Sequence, residues 1–151
     1  MKYKSYSEMN CSLAQTLEAV GERWSLLILR DAFYGVKRFG HFQRRLGIAR
    51  NILTSRLNRL IEEGVLERRE SEEGAYSEYF LTDQGLALQP ALIALTQWGD
   101  KYRPNPKGDR WIFVERATQQ AIQPMTVRSD SDQVLKPREI KAVAGPALSD
   151  D

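Results

Sequence analysis

Arg38-Phe39-Gly40-His41-Phe42-Gln43-Arg44-Arg45-Leu46-Gly47-Ile48-Ala49-Arg50-Asn51-Ile52-Leu53-Thr54-Ser55-Arg56-Leu57-Asn58-Arg59-Leu60-Ile61 decides the fold of this chain. The stretch reads as a short helix over about 39–46 with Phe42 and Leu46 inward and a stop at Gly47, then a tight connection and a helix over 50–63 that ends before Gly64. Two helices joined by a short glycine-containing turn form the helix-turn-helix pattern. On the second helix, Leu53, Leu57 and Leu60 share one face, which is core. Asn51, Thr54, Ser55 and Asn58 share the opposite face, with Arg59 beside them and Arg50 in the first turn. Asn can bond adenine and Arg guanine bidentately, while Ser and Thr serve base edges or phosphates. The first turn is the end that usually meets base edges in this motif. Arg56 lies nearer the core flank, where an ion pair or a phosphate contact fits better than base reading.

Charge follows the same boundaries. The formal net charge is only +2. From Lys37 to Ile61 there are seven basic residues and no acid, giving +7, whereas Glu62 to Asp83 carries eight acids against Arg68 and Arg69, giving −6. A near-neutral chain that concentrates its positive charge in this way has the electrostatic footprint of a polyanion-binding face, although a merely solvated basic helix would look similar.

Outward from this centre, Ser12 is placed to cap a helix through Leu13, Leu17 and Val20, stopped by Gly21. A second helix from near Glu22 to Tyr34 is apolar almost all round and is expected at the centre of the core. Past Gly64, Val65–Glu70 and Tyr76–Leu81 read as two strands around a Ser71-Glu72-Glu73-Gly74 turn, a wing. Thr82 then caps a long helix to about Tyr102, with Pro90 expected to kink it. The fold class expected is mainly α with a small β wing (α+β): a winged helix-turn-helix over 8–103, plus a small β-rich extension over 104–151. In the extension, 111–115, 123–127 and 138–143 look like short strands and 148–151 like a disordered tail.

These residues resemble the HxlR-type transcriptional regulators, relatives of the MarR group. The resemblance is carried by Cys11–Leu17, Gly21–Asp31, Arg38–Phe42, Leu53–Leu57, Leu60–Arg69, Glu78–Gly85 and Leu92–Trp98, in that order and spacing. It implies a homodimeric DNA-binding repressor or activator, with the helix over 50–63 in the major groove of a double-stranded operator and the wing beside the backbone. The DNA-contacting residues expected are Lys37, Arg38, Arg50, Asn51, Thr54, Ser55, Arg56, Asn58, Arg59, Arg68 and Arg69. Two features depart from the family pattern. Ala49 stands where such helices often begin with Ser, which removes a cap bond. The wing tip Glu72-Glu73-Gly74 is acidic and would be repelled by phosphate, so Arg68 and Arg69 at its base are the better backbone contacts.

The segment Leu86–Leu95 has Gln89 as its one polar residue, too apolar to face water. Leu88, Leu92, Leu95 and Trp98 are therefore expected in a two-fold dimer interface, helped by Leu13 and Leu17. The alternative is cover by the C-terminal segment of the same chain.

Cys11 has two readings: a small buried apolar side chain, or a redox switch, since a thiol at a helix start gains thiolate character. Cysteine-bearing relatives respond to oxidants and electrophiles, so an oxidant or an unknown small molecule is implied as effector.

With one Cys and one His in 151 residues, a multi-cysteine or His-rich metal site is excluded. No nucleophile–base arrangement or phosphate-binding glycine loop is present, so neither an enzyme nor a cofactor is expected. No apolar run approaches the roughly 20 residues of a membrane span, and a cytoplasmic, reducing location is expected. A winged helix that binds RNA or a protein partner is the alternative function.

Overall fold

The computed structural model describes residues 5–148, which divide after Gln89 into two compact units. The first unit contains α1 (Ser12–Val20), α2 (Ser25–Phe33), α3 (Phe39–Leu46), α4 (Arg50–Glu62), β1 (Leu66–Glu70), β2 (Ser77–Leu81) and the single turn α5 (Asp83–Leu86). β1 and β2 pair antiparallel, Leu66 opposite Leu81 and Glu70 opposite Ser77. The segment before α3 joins the free edge of β2: Arg38 bridges Glu78, and the Tyr79 N–H donates to the Lys37 carbonyl at 2.8 Å.

The core is where the period of α4 puts it. Leu53, Leu57 and Leu60 are fully buried together with Ile28 and Leu29 of α2, Phe42 of α3, and Val65 and Leu66 at the start of the wing. Burying three leucines is worth roughly 5–9 kcal/mol, far more than the ~1 kcal/mol that an N-cap bond contributes. Hence α4 forms although its N-cap, Ala49, offers no side-chain bond. Leu46 is only half-buried, and Ile48 in the turn takes the core position beside it.

One carboxylate is buried in this core. Asp31 of α2 is fully enclosed and accepts from Arg30 at 2.8 and 3.0 Å and from Arg45 of α3 at 3.1 and 3.4 Å. The two guanidiniums keep part of their surface in water, so the charge is neutralised without burying a second ion. The pair fixes α3 against α2 by a directional contact that apolar packing alone does not supply.

Four expectations change. The second helix starts at Ser25, not near Glu22, because Trp24 takes a left-handed conformation (φ 84°) that no α-helix continues through. Ser12 does not cap α1; it is the first helical residue, and Cys11 holds the N-cap position without a side-chain bond. The long helix over 82–102 is two: α5 ends at Leu86, and α6 (Gln89–Tyr102) begins one residue before Pro90. At the start of a helix the missing proline N–H costs nothing, so Pro90 initiates where it was expected to kink. Finally, the extension contains no strand among the described residues, only the isolated bridges Val114–Ala121 and Arg128–Val134 and two 3₁₀ turns, Pro137–Glu139 and Pro146–Leu148. Of the tail expected to be disordered, 149–151 lie outside the described residues.

The second unit has no buried residue among those described. The extension reaches α6 through polar bonds: the Met125 N–H donates to Gln97 at 2.8 Å, and Arg110 donates to Asp100 at 3.1 Å and to the Arg103 carbonyl at 3.0 Å. It leaves Leu95, Trp98 and Tyr102 each more than half exposed.

Thr82 and Gly85 lock the wing to α5. The Thr82 hydroxyl caps α5 by accepting from the Gly85 N–H at 3.1 Å and donates to the Gly64 carbonyl at 2.6 Å. A Cβ on Gly85 would lie 2.2 Å from the Val65 carbonyl oxygen. Helix propensity favours Ala over Gly by about 1 kcal/mol. Here the clash decides the sign: Gly85→Ala is expected to lower stability by about 1–3 kcal/mol, measured by urea unfolding. Equal or greater stability would show that this approach is not a constraint.

Candidate nucleic-acid interface

The apolar seam of α4 fixes what its other face presents. Asn51, Thr54, Ser55 and Asn58 are all exposed on the side away from Leu53, Leu57 and Leu60. Thr54 donates its hydroxyl to the Arg50 carbonyl at 2.9 Å, which keeps its oxygen lone pairs outward as acceptors. Arg50 is exposed, with its guanidinium 5.3 Å from the Phe39 ring centroid. The face is short, polar and neutral, with one exposed cation at its N-terminal end.

The remaining arginines separate by their partners. Arg56 is the least exposed of them, pairing with Glu22 at 2.6 Å and donating to the Arg23 carbonyl at 3.1 Å. It ties α4 to the α1–α2 turn. Arg59 pairs with Glu63 at 2.6 Å, one turn on, and lies 4.0 Å from Glu18 of α1. The structure therefore places both in ion pairs and leaves Arg50, Asn51, Thr54, Ser55 and Asn58 as the exposed part of the face, where the Ser55 hydroxyl accepts from Arg56 at 3.4 Å. On the wing, Arg68 pairs with Glu70 at 3.4 Å and Arg69 with Glu67, and both side chains remain more than half exposed. Such exposed pairs are worth at most about 1 kcal/mol and can be exchanged for a phosphate. Lys37 lies 4.8 Å from the Phe80 ring, while Arg38 stacks on Tyr76 and pairs with Glu78 at 3.7 Å. Sequence reasoning missed Arg44, His41 and Tyr76, which share a cleft with Arg38 and Arg68. The acid-free charge of 37–61 contained that signal, but the proximity of Tyr76 came only with the folded wing.

At the other end of this unit, Cys11 is exposed, which overturns the reading of a buried apolar cysteine. The segment before it is strapped to α1. The Gln15 side-chain amide donates to the Tyr6, Ser7 and Met9 carbonyls at 3.4, 3.0 and 2.9 Å, and Glu18 accepts from the Tyr6 N–H at 2.8 Å and the Ser5 hydroxyl at 3.0 Å. Leu13 and Leu17 project from α1, 67% and 41% exposed. Leu88, near the end of this unit, is half-buried; in the other unit Leu92 is half-buried, while Leu95 and Trp98 are each 55% exposed.

The HxlR-like helix-turn-helix family matches residues 19–107, more than half of the chain and all of the helix-turn-helix and wing just described. The chain belongs to that family. An uncharacterized HTH-type transcriptional regulator of Mycobacterium tuberculosis is 40% identical over 138 residues, which cover 91% of this chain and 87% of the relative. Among solved structures, PA1607, assigned as a transcription factor, superposes with a TM-score of 0.87 at 39% identity, over 94% of this chain and all of that one. The redox regulator HypR in its oxidized form matches with a TM-score of 0.58 at 29% identity, over 62% of this chain and 98% of its own. The family makes this HxlR-like chain a transcriptional regulator of helix-turn-helix type and not an enzyme. No helix among the described residues is long and apolar enough to cross a membrane.

The Glu18 strap has a pH signature. The Tyr6 backbone N–H first, then the Ser5 hydroxyl and the Arg59 charge, hold its carboxyl below the ordinary glutamate value. A depressed folded pKa means that the contact contributes above the unfolded value and is lost as pH falls through the folded one. The Tyr6 amide proton is therefore expected to be shifted and slow to exchange near neutral pH and to lose both properties below the ordinary glutamate range. Glu18→Gln should reproduce the acid state at neutral pH. A Tyr6 amide indifferent to both changes would show that the strap is absent in solution.

Proposed function

We propose that this HxlR-like regulator is a homodimeric, sequence-specific DNA-binding protein that acts as a repressor. One observation carries the reading: the exposed face of α4 is made of Asn51, Thr54, Ser55 and Asn58 headed by Arg50, with no carboxylate on it before Glu62. Those side chains are the ones that read base edges in a major groove. Lys37, Arg38, Arg68 and Arg69 flank the face and supply contacts to the backbone. Arg56 and Arg59 act through their ion pairs, by setting the angle of α4. Repression follows most directly, since a dimer on a promoter blocks it by occupancy alone.

The dimer reading rests on α6. Its own extension leaves half of Leu95, Trp98 and Tyr102 in water, and a second copy of the helix is the simplest cover for such a stripe. The exposed thiol of Cys11 at the N-cap of α1, in a chain similar to the redox regulator HypR, supports an oxidant or electrophile as effector. Under that reading Cys11→Ser keeps operator affinity and loses the response to diamide, read by gel shift. An equal response in the variant removes it.

Two outcomes test the core of the proposal. In fluorescence anisotropy against the duplex upstream of its own coding region, Asn51→Ala or Asn58→Ala should each cost about 1–3 kcal/mol on that duplex. Neither should cost anything on scrambled DNA. Equal losses on both would remove base reading, and preference for RNA of the same sequence would make this an RNA-binding winged helix.

Assembly is read by light scattering. The wild type is expected to be a dimer at micromolar concentration. Leu95→Glu, at a position the chain itself leaves exposed, should give a folded monomer with weakened operator binding. A wild-type monomer that binds the operator fully would contradict the dimer.

A further inference from the structure

A cleft of about 510 Å³ opens between the first turn of α3 and the wing. Arg38, His41, Arg44 and Arg68 line it together with the rings of Phe39 and Tyr76, and no carboxylate is among its lining residues. The cations are held to different degrees. Arg38 is fixed, with its guanidinium carbon 3.9 Å from the Tyr76 ring centroid, a bond to the Tyr76 hydroxyl and Glu78 at 3.7 Å. Arg68 leans on exposed Glu70 at 3.4 Å. Arg44 has no ion pair among the described residues, and its guanidinium lies back over the first turn of α3, 3.6 Å from where a Cβ on Gly40 would sit. That first turn carries no acid and no side-chain cap, so its positive end adds to the same field.

The place and shape of the cleft select a ligand. Phe39, one of its walls, also carries the Arg50 guanidinium at 5.3 Å, so the cleft adjoins the N-terminal end of α4. A lone phosphate would fill only part of it. A phosphodiester with its two flanking sugars matches both halves of the lining, oxygens to the guanidiniums and sugars to the rings.

We propose that this cleft seats one backbone phosphodiester of the bound duplex, with Arg44 and His41 as its direct ligands and Arg38, braced on Tyr76, as the fixed wall. The proposal rests on the operator-binding reading and adds to it a defined phosphate contact that sets the register of α4. The shared chemistry is a phosphate anion, so free phosphate is the competing occupant.

The experiment uses the full chain and duplexes of specific and scrambled sequence, with affinity measured across a salt series. Each phosphate contact contributes about 0.9 to the slope of log K against log salt. Arg44→Gln is therefore expected to lower the slope by about that much for each subunit in contact, and to weaken both duplexes alike. Arg44→Lys should keep the slope. A duplex carrying one neutral methylphosphonate at the seated position should bind the wild type more weakly and make no further difference to Arg44→Gln. A merely structural role for Arg44 would not produce that non-additivity. Duplex binding with a slope indifferent to both Arg44→Gln and His41→Gln overturns the seat and leaves operator binding standing. Absence of any duplex binding by the wild type overturns both. Inorganic phosphate that displaces duplex beyond its ionic strength, and loses that effect in Arg44→Gln, makes this a small-anion site and overturns the diester assignment.

Discussion

The first unit depends on the burial of one edge of α4. Leu53, Leu57 and Leu60 are enclosed by α2, α3 and the root of the wing, and everything functional about the helix follows by rotation. With those three inward, the residues at 51, 54, 55 and 58 have nowhere to go but out. The same seam explains why α4 tolerates an alanine at its N-cap, since the packing energy exceeds the missing bond several-fold. Asp31 adds what apolar contacts cannot. Of its two arginine partners, Arg30 lies beside it on α2 and Arg45 reaches it from α3; the second pair ties α3 to α2, and α3 in turn presents Arg44 and His41 to the cleft.

The parts of this architecture that were legible in the sequence are those governed by periodicity. The helix bounds of α3 and α4, the wing and the outward face of α4 all came from apolar spacing and glycine stops, and all appear with shifts of a residue or so. What was not legible depended on single backbone conformations or on contacts distant in sequence. Trp24 is left-handed, and no pattern in its neighbours announces a bulky residue there. Pro90 marks a helix boundary either as a kink or as a start, and the two readings differ only in what precedes it. The ion pairs of Arg56 with Glu22 and of Arg59 with Glu18 join residues more than thirty apart in sequence, so the wheel could show that these arginines flank the face but not that they are engaged.

In the extension, 111–115, 123–127 and 138–143 have the composition of short strands. Composition is not pairing. A strand needs a partner ladder and a face to bury, and among the described residues the first segment has the single bridge Val114–Ala121, the second only abuts the bridge Arg128–Val134, the third has none, and no residue of the three is buried. A segment with this much exposed apolar surface, and no burial of its own, draws little stability from intrachain packing. Its exposed residues and those of α6 raise the same question of cover, and the proposed dimer is one answer to both.

Charge in the first unit completes the physical account. In a chain of net charge +2, many of the arginines of the first unit are already in ion pairs: Arg45 with Asp31, Arg56 with Glu22, Arg59 with Glu63, Arg68 with Glu70 and Arg69 with Glu67. Among the described residues near the α4 face, Lys37, Arg44 and Arg50 have no such pair. Few free cations mean modest attraction to DNA at large, because non-specific affinity scales with the number of phosphates neutralised. On the operator-binding proposal, discrimination then falls to the neutral side chains Asn51, Thr54, Ser55 and Asn58, whose hydrogen bonds count only when the base edge matches. On the same proposal, the acids that follow residue 61 favour selectivity: Glu63, Glu70 and Glu67 pair with Arg59, Arg68 and Arg69, and each pair must be exchanged before its arginine meets a phosphate, which lowers binding to every sequence alike.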